Sequence, residues 1–277
     1  MRRLACFLFI AAGAFAQTFS FQVAMPRAAE HIVHVTLRCE SLPGEFQDFK
    51  MPAWMPGYYR LIDYARNVSG FRAQDGAGRP LPWEKVARNT WRVATANAPA
   101  VVIDYDVTGT VSFAAQNFVG ENRAYLAPPG LFLHVAGQLA RPAIVAVQPP
   151  PNWAHIATGL DPIPGRANTW SAVNFDVLYD APLLMGNQEA LRFDVRGVPH
   201  FVAMENVPAS VDRDKLLADL KRMVEAVVAV IGDIPYRHYT FLMMGTGNGG
   251  IEHLNSASIA FNGNSLTTPD GYRGWLS

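Results

Sequence analysis

The chain has 277 residues, half of them apolar and 17% charged, which supplies a sizeable core and argues against disorder. Basic and acidic residues number 23 each, so the composition carries no electrostatic footprint for nucleic acid. The length fits one large or two ordinary domains.

Residues 1–16, MRRLACFLFIAAGAFA, combine a short basic start, an apolar run and an Ala14-Phe15-Ala16 site before Gln17. That pattern predicts a secretory signal peptide, too short to span a bilayer as a helix. Leu4-Ala5-Cys6 is a poor lipoprotein box, because almost no apolar segment precedes Cys6. Cleavage leaves Cys39 as the single cysteine, so no internal disulfide is expected despite export. No later segment is long and apolar enough to cross a membrane. The mature chain reads as soluble and exported, to the periplasm or beyond the cell.

From residue 17 to 203 short β-branched and aromatic runs alternate with Pro, Gly, Asn and Asp, as an antiparallel β-sandwich requires. The runs are Phe19–Met25, His31–Cys39, Gln47–Met51, Thr90–Thr95, Val101–Thr108, Leu131–Val135, Ala143–Val147, His155–Thr158, Ser171–Val177, Ala190–Arg196 and His200–Met204. Residues 204–277 differ in character. Leu216, Leu220, Val224, Val227 and Ile231 recur at helical spacing, with Ser210 or Asp212 available as N-cap and Gly232 and Pro235 as the stop. Tyr239–Met244 follows as a strand. The mainly β fold thus passes into the start of a mixed α/β domain.

The stretch MMGTGNGGIEHLNS, residues 243–256, satisfies G-x-G-x-x-G through Gly245, Gly247 and Gly250. A dinucleotide loop needs a helix after the glycines. Ile251–Phe261 has no 3.6-residue apolar period and reads as a strand, which disfavours that reading. A P-loop lacks its Gly-Lys-Ser/Thr. Glycines also let a ligand backbone approach closely, and Glu252 is placed to hold an ammonium by charge-assisted hydrogen bonds. The plain alternative is a hairpin turn with an exposed Glu252 and a partly buried His253.

GGIEHLNS resembles the Gly-Gly-x-Glu-His-x-Asn-Ser signature of the glycyl aminopeptidases, family sixty-one of the metallopeptidases. WMPGYYRLIDYARNVSGF (residues 54–71) and FDVLYDAPLLMG (175–186) resemble two further segments of that family, in the same order. The resemblance implies a β-rich domain ahead of a thermolysin-like zinc catalytic domain. It further implies that peptide pairs with the glycine-Glu-His strand as an added strand. Glu252 would bind the free amine of the peptide and Gly249 and Gly250 would make room for its backbone. His253 and Asn255 would shape or polarise the site, and glycine or another small residue would be removed.

One departure is decisive. The seven histidines stand at 31, 34, 134, 155, 200, 238 and 253, and none forms His-Glu-x-x-His. The zinc ligands and general-base Glu are therefore expected beyond Ser277, in a longer protein of which this chain is an N-terminal fragment. The chain by itself is expected to bind no zinc and to hydrolyse nothing. A non-catalytic module that binds peptide or glycan is the alternative. His31 and His34, three apart in an expected strand, point to opposite faces and do not make a metal pair. No Ser-His-Asp set stands out, Cys39 reads as inert, and the 54–71 segment reads as a Pro-Gly turn with aromatics packed beneath it.

Overall fold

The computed structural model describes residues 18–95, 98–245 and 250–276, so the signal peptide expected at 1–16 lies outside them. The largest sheet has seven strands in the order Asp161–Pro162, Thr169–Ala172, Ala143–Gln148, Phe19–Arg27, Ile32–Glu40, Ala100–Thr108 and Val68–Asp75. All neighbours in it are antiparallel except Phe19–Arg27 and Ala143–Gln148. Period-two patterning accounts for its two faces. Phe19, Phe21, Val23 and Met25 are buried while Ser20, Gln22 and Ala24 are not.

A four-stranded sheet built on Phe46–Lys50 and Thr90–Ala94 adds Phe49, Trp91 and Val93 to the same core. A second four-stranded sheet orders His155–Thr158, Leu183–Gly186, Arg123–Leu126 and Phe118–Val119. Fully burying each large apolar side chain contributes roughly 1.5–3 kcal/mol. Buried phenols are satisfied: Tyr105 donates to the Leu131 carbonyl at 2.8 Å and Tyr64 to that of Ala115 at 2.7 Å. Among the described residues no helix is long and apolar enough to cross a membrane.

The fourth sheet is mixed. Its order is Glu189–Val195, Val198–Met204, Tyr239–Met244, Ser256–Ala260, Gly250–Glu252. The pairs of Tyr239–Met244 with Val198–Met204 and with Ser256–Ala260 are parallel. Glu189–Val195 lies before residue 203 and Val198–Met204 runs across it, so both sides of that position share one sheet. A helix, Arg213–Ile231, forms the crossover. Asp212 Oδ1 accepts the Lys215 amide at 2.9 Å, and Gly232, at φ 91°, returns its amide to Val228 at 2.8 Å. Leu216 and Leu220 are buried against the sheet, whereas Met223, Val227, Val230 and Ile231 remain exposed.

Three strand expectations are corrected, the first being Ile251–Phe261, which is not one strand but two, Gly250–Glu252 and Ser256–Ala260, folded back antiparallel on each other through a turn at 253–255. Ser171–Val177 is not one strand: it ends at Ala172, and Asn174 caps a short helix, Phe175–Tyr179, by accepting the Val177 amide at 2.9 Å. Leu131–Val135 shrinks to His134–Val135, because Pro128–Gly130 forms a 3-10 turn that carries Leu131 into the core.

Candidate functional site

Gly250–Glu252 is the last strand of the mixed sheet. It pairs antiparallel with Ser256–Ala260, with Gly250 opposite Ile259, Ile251 opposite Ser258 and Glu252 opposite Ala257. Its other edge has no strand partner among the described residues, which leaves backbone groups for an added strand. Alternation separates its side chains. Ile251 is buried with Met55, Tyr125, Leu184, Leu242 and Met244, and Glu252 is exposed on the opposite face. No hydrogen bond or ion pair joins the Glu252 carboxylate to a described residue. Gly249 lies outside the described residues.

The 54–71 segment meets this strand directly. Met55-Pro56-Gly57-Tyr58 is a turn closed by the Tyr58 amide on the Met55 carbonyl at 3.1 Å, with Gly57 at φ 76°. A Cβ on Gly57 would stand 2.6 Å from Ile251 Cγ2 and 3.2 Å from the Glu252 carbonyl oxygen, so the absent side chain lets the turn touch the strand. Met55 and Tyr64 are buried, and Tyr58 packs edge-on against Phe113 at 5.3 Å. The expected packing beneath the turn holds for these residues. Trp54 and Tyr59 are exposed instead, at 41% and 94%.

The third stretch supplies Asp180. Its Oδ1 lies 2.8 Å from His253 Nδ1 and its Oδ2 accepts the Leu254 amide at 2.9 Å. An ionised carboxylate only accepts, so the proton sits on Nδ1. Ser258 Oγ is 3.3 Å from His253 Nε2 and 2.8 Å from the Tyr125 hydroxyl, which donates to the Ala114 carbonyl. A Ser-His-Asp constellation is thus present although the sequence spacing hides it. It is structural, since Ser258 is wholly buried, the His253 side chain is inaccessible, and Tyr125 already occupies the hydroxyl. Burial, with the charges of Tyr236, Glu252 and Asp180, pushes the Tyr239 phenol up to about 12. Asn255 contributes main chain: its carbonyl accepts the Thr240 amide at 3.0 Å and abuts Gly159.

Glu205 was not legible in the sequence. It follows the Val198–Met204 strand, accepts the Gly245 amide at 2.9 Å and pairs with Arg123 at 3.3 Å. Burial raises its carboxyl, opposed by Arg123 and that amide. It therefore ties the first residue of the glycine loop to the N-terminal β domain. Its only sequence signal is an acidic residue closing an apolar strand.

Of the other histidines, His31 and His34 have side-chain partners, the Val119 carbonyl and Asp106. His34 Nδ1 meets Asp106 at 2.8 Å on the outer face of the large sheet, and His31, at φ 62°, precedes the strand rather than belonging to it. Burial drives the Cys39 thiol far above its ordinary range. Among the described residues no group of three or more His, Cys, Asp or Glu is arranged to hold a metal ion.

The family described as the peptidase M61 N-terminal domain matches residues 20–187, ending just before the mixed sheet begins. No curated protein sequence matches the chain. Among solved structures, an aminopeptidase N family protein from Idiomarina loihiensis is similar at 25% identity and TM-score 0.86, over 93% of this chain and 46% of its own. An M1 zinc metallopeptidase from Deinococcus radiodurans has TM-score 0.54 at 16% identity, over 94% of this chain and 62% of its own. A variant of an M1 zinc metallopeptidase from the same organism, bound to a Tyr-Ser-Ala substrate, has TM-score 0.55 at 14% identity, over 94% and 63%. The latter two share the fold. The chain spans about half the length of the first of these proteins.

Proposed function

Because the chain belongs to the peptidase M61 family through that family's N-terminal domain, we propose that it is the β-rich, substrate-docking part of an exported zinc aminopeptidase of the glycyl aminopeptidase type. An extended peptide adds to the free edge of Gly250–Glu252 and its backbone amides and carbonyls complete the sheet. The α-ammonium of the peptide is held by the Glu252 carboxylate. Glycine or another small residue is removed from the amino end.

The observation that carries this reading is the state of Glu252: an exposed carboxylate with no described partner, on an edge strand. Its backbone is fixed by Gly57 from one side and, through the next two residues, by Asp180. A fixed strand presenting an unpaired charge recognises an opposite charge with little ordering cost on the protein side. In the proposal a zinc ion would supply the activated water, and the described residues of this chain include no group arranged to hold it.

The coding sequence after the Ser277 codon tests the proposal. His-Glu-x-x-His soon after it, with zinc-dependent release of N-terminal glycine by the longer product, is the expected result. A stop codon there, or a longer product inert with zinc, contradicts it. The second reading, a non-catalytic peptide- or glycan-binding module, has one observation in its favour, the exposed Trp54 and Tyr59 on the loop whose Gly57 touches the edge strand. Binding without zinc-dependent turnover by the longer product is its signature.

A further inference from the structure

Trp54 and Tyr59 flank the turn that touches Glu252. Met55 and Tyr58 form an antiparallel bridge and turn inward to the apolar cluster around Ile251. The residues just outside that bridge, Trp54 and Tyr59, therefore share its other, outward side. Both are exposed, and so is Leu61 at 82%, which concentrates three large apolar side chains in one short loop. Exposed apolar groups gathered in this way mark recognition surfaces more often than chance. Aromatic rings are well suited to it, giving large contact area at low entropy cost.

The position of this pair relative to Glu252 follows from strand geometry. Gly57 packs on Ile251 and on the Glu252 main chain, so the turn lies on the face that Ile251 occupies. Glu252 projects from the opposite face. A peptide added to the edge alternates its side chains between those faces. In the register where the first side chain shares the Glu252 face, the second falls on the face of the turn. Tyr59 is two residues from Gly57, within about 7.6 Å along the chain.

We propose that Trp54 and Tyr59 form a recognition clamp for the side chain of the second residue of the peptide, selecting an aromatic or long aliphatic group there. The assignment rests on the docking role of Glu252 proposed above and extends it from the amine to the next side chain. The site is then selective at two places by two kinds of force: charge for the first residue, apolar contact for the second.

The experiment measures, by NMR titration of this chain, the affinities of Gly-Phe-Ala, Phe-Gly-Ala and Gly-Gly-Ala. The variants are Trp54→Ala, Tyr59→Ala, Trp54→Phe and Glu252→Gln. Gly-Phe-Ala should bind about tenfold more tightly than Gly-Gly-Ala, the range of a well-packed aromatic contact. Trp54→Ala and Tyr59→Ala should remove that preference and leave Gly-Gly-Ala unaffected, while Trp54→Phe keeps most of it. Glu252→Gln should weaken all three and keep the preference. A preference for Phe-Gly-Ala, or one untouched by both alanine variants, overturns the clamp. A clamp that behaves as stated while Glu252→Gln changes nothing overturns the Glu252 reading alone. Binding of none of the three overturns both.

Discussion

The Asp180 carboxylate grips His253 across 73 residues of sequence, with Oδ1 2.8 Å from Nδ1, and holds the Leu254 amide at 2.9 Å with its other oxygen. Two charge-assisted hydrogen bonds accepted by one carboxylate fix the hairpin that carries Glu252. Asp180→Ala strands a buried imidazole and an amide, at a cost of about 2–3 kcal/mol. Urea unfolding should show that loss, and hydrogen exchange should show faster opening of the Ile251 and Ser258 amides. Asp180→Asn keeps one acceptor and should lose less.

Gly57→Ala should destabilise more than Gly78→Ala, although both glycines have positive φ. At Gly78 an added methyl meets nothing within 4 Å, so only the left-handed backbone strain of about 1–2 kcal/mol applies. At Gly57 the methyl also overlaps Ile251 Cγ2 at 2.6 Å. Chemical denaturation of the two variants side by side measures the difference, and equal losses would contradict the contact.

Helix Arg213–Ile231 and the C-terminal helix Pro269–Leu276 are joined at Asp219. Lys215 donates to it at 2.6 Å, Tyr272 at 2.7 Å, and Arg222 also hydrogen-bonds to it. Those three donors, Lys215 foremost, hold its carboxyl well below the usual range. A depressed carboxyl stabilises the fold above its unfolded value near 3.9, and that contribution disappears as the pH falls below it. Asp219→Asn should therefore lower stability at neutral pH and flatten the acid limb of a pH-dependent melting curve. Tyr272→Phe should reproduce part of the neutral-pH loss.

The buried His200 works in the opposite pH range. Burial lowers its imidazole, which stacks on Phe193 and meets the Tyr236 hydroxyl at 3.0 Å. The unfolded chain takes up a proton near pH 6.5 that the folded chain resists, so stability falls as the pH drops through that value. His134 and His238 are lowered for the same reason and act in the same sense. Replacing His200 with Gln should reduce the difference in unfolding free energy between pH 7.5 and 5.5. An unchanged difference contradicts the assignment.

Legibility in the sequence followed the range of the forces involved. Asp212 and Gly232, both local caps, mark the long helix in sequence and in structure, and Tyr239–Met244 is a strand in both. Ser171–Val177 misled because the Asn174 cap outweighs a β-branched run. Leu183–Gly186 escaped notice because all four residues are buried and no alternation appears. At the site, extended backbone after the glycines was legible, but the turn at 253–255 that splits it into Gly250–Glu252 and Ser256–Ala260 was not. Nor were the supports of the Glu252 strand. Gly57 touches it from nearly 200 positions away in sequence, and the Glu205–Arg123 pair spans 82. Such pairings are decided by how sheets pack, which no local pattern records.

The central claim is that Glu252 takes a free amine, and calorimetric titration with Gly-Phe-Ala and its N-acetyl form tests it most directly. The free-amine peptide should bind and the acetylated one should bind at least tenfold more weakly. Glu252→Gln should reduce the free-amine affinity by about 10–100-fold, the range of a charge-assisted hydrogen bond, with the melting temperature nearly unchanged. Equal affinity for the two peptides, or a Glu252→Gln variant that binds the free amine like the parent, would contradict the account.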